Sequence, residues 1–206
     1  MNRPLRVGLT GGVASGKSTV SQAFARRGVP TFSADEISHE LTEPGAPALA
    51  RIRASFGDGV FTPGGALDRA ALAEQIFADA EARERLEGIL HPPIASELAA
   101  LTSACDAPYC VVEIPLLEPR HVGELVDRVL VVDVSAENQL RRLQTRNGLT
   151  RAAAQSRIVA QKSREARLAM ADDVIRNDGL PAEIDAQVEA LHVLYTDLAR
   201  RGEWAP

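Results

Sequence analysis

The stretch that most constrains this chain is residues 7–20, V-G-L-T-G-G-V-A-S-G-K-S-T-V. An apolar strand over residues 5–9 runs into Gly11-x4-Gly16-Lys17-Ser18. In a loop of this pattern successive backbone N–H groups turn inward and wrap a phosphate chain. The glycines admit close approach, Lys17 reaches the outer phosphates, and the Ser18 hydroxyl is placed for Mg²⁺. A helix over about residues 17–27 follows, with Val20, Ala23 and Phe24 on its apolar face, and adds the positive end of its dipole. A glycine-rich turn that bound nothing would need neither the strand before it nor the amphipathic helix after it. Of the 23 cationic residues only Lys17 and Lys162 are lysines, so a chain that otherwise uses arginine keeps a compact ammonium in this loop. The stretch is a nucleotide-phosphate site.

With 206 residues the chain can bury a real core, and a single domain spanning 1–206 with insertions is expected. Its 45% apolar and 25% charged residues are those of an ordinary soluble protein. A net charge of -5 disfavours a nucleic-acid partner. No apolar run is long enough to span a bilayer and the start of the sequence has no signal-like apolar region, so no membrane role is expected and a cytoplasmic location is. Cys105 and Cys110 lack metal-ligand spacing; inert packing in a reducing compartment is the reading for both.

Further along, Gly28 suits a helix stop and residues 29–32 read as a second strand. Ser33 and Glu36 have capping-box spacing, so a helix is expected to start there with Asp35 in its first turn. That position admits two readings. Asp35 lies just past the carboxyl end of a strand, where open α/β sheets place ligand-binding groups, or it only complements a helix dipole. From residue 37 to 102 the pattern is helical, broken at Pro44-Gly45, Gly57 to Gly59 and Pro63-Gly64-Gly65, with Asp68 and Asp79 as N-caps. This excursion, about 36–104, exceeds a minimal crossover and reads as an insertion able to hold a second substrate. His91-Pro92-Pro93 is expected to break it, and His91 is either a packed or capping histidine, the reading preferred, or a catalyst.

Residues 109–114 and 129–134 are valine-rich runs expected of parallel strands buried on both faces. Ser135 can cap the next helix, where Gln139, Arg142 and Arg146 form one polar stripe beside Leu140 and Leu143. Asn147-Gly148 turns the chain, and Thr150 can cap a further helix carrying Arg157 and Gln161. Arg141, Arg142, Arg146, Arg151, Arg157, Arg164 and Arg167 make a basic segment in an acidic protein. It is either a solvated helical hairpin or a lid, about 137–167, that carries guanidinium groups onto transferring phosphates. Downstream of a phosphate loop the lid is the reading taken. Residues 173–176 give a last strand, and Pro181 opens a closing helix whose face is Ile184, Val188, Leu191, Tyr195 and Leu198. The alternation specifies an α/β fold, a doubly wound parallel sheet, and the phosphate loop after its first strand makes it of the P-loop type.

A GTPase would need an Asn-Lys-x-Asp motif, and Lys162 is followed by Ser163-Arg164. A remodelling ATPase would need an apolar strand ending in Asp-Glu, which Asp35-Glu36 imitates poorly. A small-molecule kinase needs a phosphate loop, a carboxylate, an arginine-rich lid and a substrate-holding insertion, and all four are present. The ordered set Gly8-Leu9-Thr10-Gly11-Gly12 with Ser15-Gly16-Lys17-Ser18-Thr19, Ala34-Asp35-Glu36-Ile37 with His39, Arg85-Leu86 to His91-Pro92, Ile114-Pro115-Leu116-Leu117, then Gln139, Arg142, Arg146, Arg157, Gln161 and Ala171-Asp172 to Asn177 with Gly179 resembles the dephospho-CoA kinases through nearly the whole chain.

The resemblance implies transfer of the ATP γ-phosphoryl group to the ribose 3′-hydroxyl of dephospho-CoA, giving coenzyme A and ADP, the last step of coenzyme A synthesis. It implies Asp35 as base, Lys17 and Arg142 as phosphate stabilisers, and Ser18 on Mg²⁺. The nucleotide would be held by Gly11, Gly12, Val13, Ala14, Ser15, Gly16, Lys17, Ser18 and Thr19, with Arg146 and with Asn177 beside the adenine. The acceptor would meet Thr10, Asp35, His91 and Leu116. A monomer or weak homo-oligomer is expected. Three positions depart from the family pattern. Ser33 stands where an aspartate is usual, Glu118-Pro119 follow Leu117 directly, and Arg167 replaces a common lysine. A nucleoside monophosphate kinase shares the architecture, and a catalytically dead scaffold would share the loop.

Overall fold

Residues 3–202 are described by the structure, a computed structural model, with Phe77 and Ala78 described in their backbone alone. Five parallel strands form one sheet: β1 (Leu5–Gly11), β2 (Thr31–Ser33), β3 (Tyr109–Glu113), β4 (Arg128–Asp133) and β5 (Asp173–Arg176), in the order β2-β3-β1-β4-β5. On one side of β1, Leu5 stands opposite Tyr109 and Leu9 opposite Glu113; on the other, Val7 stands opposite Arg128 and Gly11 opposite Val132. Every residue of β1 is buried, and its run is apolar or small apart from Arg6, whose guanidinium is paired with Asp127 at 2.8 Å. The chain winds outward from β1 in both directions, so the carboxyl end of β1 is the switch point at which such sheets bind ligands.

β2 begins later than residues 29–32 suggest. Pro30 has no N–H to give a ladder; its carbonyl accepts from Val111 at 2.9 Å, and regular pairing starts at Thr31. The first helix, α1 (Lys17–Ala25), ends two residues before the expected Arg27, and Gly28 turns with φ of 77°. Val20, Ala23 and Phe24 pack on Leu5, Val7 and Leu9, and on Ile184, Val188 and Tyr195 of the closing helix. Phe24 and Tyr195 stack with centroids 6.2 Å apart, and Tyr109 meets Tyr195 edge-on at 5.5 Å. Fully burying side chains of this size contributes about 1.5–3 kcal/mol each. Tyr195 donates to Asp173 at 2.8 Å, and burial pushes its phenol far up, so it stays neutral.

The chain divides into two compact units, one made of the segments up to Ser33 and from Leu101 onward, the other Ala34–Ala100. The second unit is helical: α2 (Ala34–Glu40), α3 (Pro47–Phe56), α4 (Arg69–Ala78) and most of α5 (Ala80–Ser103). Its own core joins Ile52, Phe56, Val60, Leu72, Ala82 and Ile89. Asp68 caps α4 by accepting from Ala70 and Ala71, and Asp79 accepts from the Glu81 N–H. Ser33 closes β2 and α2 starts at Ala34, so strand passes to helix without a loop.

The break expected at His91-Pro92-Pro93 does not occur. α5 runs through both prolines for 24 residues. Pro92 and Pro93 leave the carbonyls of Gly88 and Ile89 without their helical donors, a cost of about 3 kcal/mol for one proline. Gly88 is exposed, so water can serve its carbonyl, while Ala82, Ile89 and Leu98 are buried on both sides of the prolines and hold the helix in place.

In the first unit, α6 (Ala136–Asn147), α7 (Arg151–Val159) and α8 (Arg164–Leu168) precede β5, and α9 (Pro181–Arg201) closes the chain. Ser135, Thr150 and Ser163 cap them by accepting from Asn138, Ala153 and Ala166. The expected hairpin is therefore three short helices, and Gln161 lies in the link after α7 rather than on it. Burial pushes the Cys110 thiol up to about 12, which leaves it inert, as its packing role requires. No helix among the described residues is long and apolar enough to cross a membrane.

Candidate active site

The phosphate loop is a series of tight backbone reversals. Ser15 N–H donates to the Gly12 carbonyl at 3.1 Å, and both Ala14 (φ 57°) and Gly16 (φ 94°) are left-handed. Alternation of this kind gathers N–H groups into an anion-binding concavity. α1 starts at once with Lys17 and has no acidic residue in its first turn, so nothing opposes the positive end of its dipole. Lys17 Nζ donates to the Gly11 carbonyl at 3.1 Å, while Ser18 and Thr19 are exposed. The Ser15 hydroxyl is buried without a hydrogen-bond partner.

Four side chains hold the loop. Gln139 donates to the Val13 carbonyl at 2.7 Å, and the Gln161 carboxamide oxygen accepts from the Val13 N–H at 2.7 Å. Arg142 Nη1 donates to the carbonyls of Ala14 (3.3 Å) and Ser15 (3.4 Å), while its Nη2 donates to the Asn177 carbonyl at 2.7 Å and side-chain oxygen at 3.2 Å. The Asn177 amide reaches the Ser15 carbonyl at 2.6 Å. With these carbonyls occupied, the loop is held in its phosphate-ready shape before any ligand arrives. Val13 and Ala14 also pack against Leu140, Leu143 and Ala154, so α6 and α7 support the loop through apolar contact as well.

Two carboxylates brace this frame. Asp133, buried at the end of β4, takes two hydrogen bonds from Arg164, at 2.8 and 2.6 Å, which ties α8 to the sheet. Asp178 accepts from the Asn138 amide at 2.7 Å and from Ser135 N–H at 2.9 Å. Those bonds, Asn138's first, hold its carboxyl below the usual carboxylate range. Beside the loop is a cleft of about 170 Å³ between the carboxyl end of β1, residues 115–118, the 160–162 link and Arg167.

Against this frame, the family model for dephospho-CoA kinase matches residues 5–183. The chain belongs to the dephospho-CoA kinase family. It is 48% identical to the dephospho-CoA kinase of Methylococcus capsulatus, over 95% of this chain and 98% of that one. A crystal structure of TT1252 from Thermus thermophilus superposes with a TM-score of 0.82 at 30% identity, over 94% of this chain and 98% of that one. The dephospho-CoA kinase from Campylobacter jejuni gives 0.69 at 27% identity, over 93% and 97%. The chain is an ATP-dependent kinase of coenzyme A biosynthesis.

For a dephospho-CoA kinase the sequence-derived residues fall into two sets. Gly11 to Thr19, Arg142 and Asn177 come together around the loop, and Thr10 and Leu116 line the adjoining cleft. The Thr10 hydroxyl donates to the Pro115 carbonyl at 3.3 Å, whereas Leu116 is 68% exposed. Arg146, one turn beyond Arg142, is exposed in the last turn of α6. Asp35 and His91 belong to the helical unit, both exposed: Asp35 is the second residue of α2, and His91 stands mid-way along α5. Glu118 pairs with Arg120 at 3.0 Å and starts the turn Pro119–His121, which is what the Glu118-Pro119 departure builds.

In sequence, Gln161, Arg164 and Arg167 are alike in being polar or charged residues of the 137–167 segment. The structure separates them: Gln161 bonds to the loop, Arg164 to Asp133, and Arg167 lines the cleft. The available signal was Asp133 as the one acidic residue of the valine-rich run 129–134, which needs a cation when buried.

Proposed function

We propose that the chain transfers the γ-phosphoryl group of ATP to the ribose 3′-hydroxyl of dephospho-CoA, releasing ADP and coenzyme A. The observation that carries this reading is the loop of residues 11–18, held by Gln139, Arg142, Gln161 and Asn177 and opening beside a cleft, in a chain of this family.

In the transfer, the bond between the γ-phosphorus and the β–γ bridging oxygen breaks as a bond to the acceptor oxygen forms. Charge spreads over the equatorial oxygens, so positioning and electrostatics do most of the work. The loop N–H groups and Lys17 meet that charge. Arg142 serves it indirectly, by fixing the Ala14 and Ser15 carbonyls away from the phosphates, and Asn177 adjoins the base. Asp35, exposed in the first turn of α2 and two residues along the chain from the end of β2, accepts the 3′-hydroxyl proton. His91, Thr10 and Leu116 serve the acceptor, and Arg146 the nucleotide once α6 to α8 close as a lid.

The Ser18 hydroxyl is a hard oxygen donor exposed in the first turn of α1, and among the described residues no group of three His, Cys, Asp or Glu could hold a metal. That donor set fits Mg²⁺ arriving on the nucleotide phosphates. When bound, the ion neutralises charge on the phosphate oxygens. One chain carries loop, lid and carboxylate, so a monomer or weak homo-oligomer suffices, and the free thiols suit the cytoplasm.

A coupled ADP-release assay with dephospho-CoA, AMP and CMP as acceptors tests the reading. Turnover with dephospho-CoA alone is expected. Turnover with a nucleoside monophosphate and none with dephospho-CoA would overturn it, as would ATP binding without turnover of any acceptor.

A further inference from the structure

The arginines of α6 to α8 are not equivalent, and their hydrogen bonds sort them. Both terminal nitrogens of Arg142 are committed to the carbonyls of Ala14, Ser15 and Asn177 and to the Asn177 side chain. Arg164 is spent on Asp133. Arg141, Arg146, Arg151 and Arg157 are on or near the surface. Arg167 is different. It is half-buried, lines the cleft with Thr10 and Gly11, and lies against the loop itself. A Cβ added to Gly12 would stand 2.9 Å from its Nη2 and 3.2 Å from its Cζ, so the guanidinium occupies the space that the missing side chain leaves.

Arg167 hydrogen-bonds to the Lys162 carbonyl, and among the described residues no carboxylate forms an ion pair with it. A guanidinium partly removed from water and unpaired is costly until an anion reaches it; burial accordingly lowers its proton affinity. The rest of the cleft supplies no competing anion. Glu118, its one carboxylate, is paired with Arg120 at 3.0 Å and engaged with His121 in the turn it caps, while Lys162 adds a second cation.

We propose that Arg167 is a catalytic residue that contacts the transferring phosphoryl group directly, with Arg142 confined to holding the loop. This rests on the kinase reading of the site above. The planar guanidinium fork matches two equatorial oxygens of a metaphosphate-like group, an interaction that strengthens as charge moves onto them.

The test uses the full-length protein and its Arg167→Gln and Arg167→Lys variants. Calorimetry measures ADP affinity with and without aluminium fluoride, a planar mimic of the moving group, in the presence of dephospho-CoA; single-turnover rates and melting temperatures are taken alongside. In the wild type, fluoride should tighten ADP binding. Arg167→Gln should lose that tightening by about a hundredfold and slow transfer by a similar factor, with affinity for ADP alone within about twofold. Arg167→Lys, which keeps the charge and loses the fork, should fall between and guards against a glutamine variant that folds poorly. Equal tightening in all three proteins would overturn the proposal. So would a parallel loss of affinity for ADP alone, which marks a residue that merely supports Gly12. A wild type that does not respond to fluoride would instead overturn the kinase reading beneath it.

Discussion

Asn177 and Ser15, separated by 162 positions in the sequence, are joined by a 2.6 Å hydrogen bond from the Asn177 side-chain amide to the Ser15 carbonyl. The same amide lies where a Cβ on Gly16 would have to go, so close approach and left-handed backbone together require glycine there. The turn after β5 thus fixes the shape of a loop formed after β1. Asn177→Ala should leave the Ser15 carbonyl with only its long 3.4 Å hydrogen bond from Arg142, costing about 1 kcal/mol of stability. It should also weaken ATP binding, because the loop would no longer be held before the ligand arrives. Calorimetric titration with ATP together with thermal melting checks this; unchanged ATP affinity would mean the loop keeps its shape unaided.

Arg142 binds the same two residues. Arg142→Lys retains one positive charge but cannot serve Ala14, Ser15 and Asn177 at once, because an ammonium lacks the planar fork. ATP affinity should fall, as for Asn177→Ala, because the loop is no longer held before the ligand arrives, and the turnover rate should fall with it by at least about tenfold. Steady-state kinetics against ATP and dephospho-CoA separate the two effects. Hydrogen exchange across residues 137–167 should slow when both substrates or a bisubstrate analogue bind, and unchanged exchange would identify a rigid support.

How much of this was legible beforehand depended on whether the signal was local. The loop, the sheet type and the caps Asp68, Asp79, Ser135 and Thr150 follow from short-range spacing and are found where that spacing puts them. Pro92 and Pro93 misled, because a local helix-breaking preference was outweighed by packing on both sides of them. The pairing of Gln161 with Val13 was illegible, since a glutamine in a link carries no periodic signal and its partner is 148 positions away. The arginine segment could be counted but not sorted, because which guanidinium meets a carbonyl, a carboxylate or a cleft is decided by the three-dimensional frame.

Asp35 is the residue on which the proton-transfer proposal depends. Asp35→Asn keeps the shape of the first turn of α2, so a residue that only complements the helix dipole would cost about 1 kcal/mol or less and leave catalysis nearly normal. The base role gives the opposite: near-normal melting temperature and a single-turnover rate lower by roughly a hundredfold. That is the lower end for general-base catalysis, because a loose phosphoryl-transfer transition state asks little of a base. Both measurements belong on the same variant.

A pH dependence of stability follows from Asp127. Burial pushes its carboxyl up, but hydrogen bonds from Arg6 and Arg3 outweigh that and hold it below its ordinary value. The unfolded chain therefore binds the proton more readily. The stabilisation is complete above about pH 4, the ordinary carboxylate value, and is lost as the pH falls below it. Asp127→Asn should cost about 3 kcal/mol at neutral pH by leaving Arg6 without its buried partner. It should also flatten the fall in melting temperature below about pH 4. Parallel pH curves for the two proteins that differ by a constant offset would show that another carboxylate sets the acid limb.

The most direct measurement of what this chain does follows the phosphorus itself. ATP labelled in its γ-phosphoryl group is mixed with purified protein and either dephospho-CoA or its 3′-deoxyribose analogue, and the label is located in the products. The loop, the cleft and the family require label on the ribose 3′-oxygen of coenzyme A, stoichiometric ADP, and no transfer to the deoxy analogue. Label on the analogue, on another oxygen of dephospho-CoA, or only in free phosphate would contradict the assigned reaction.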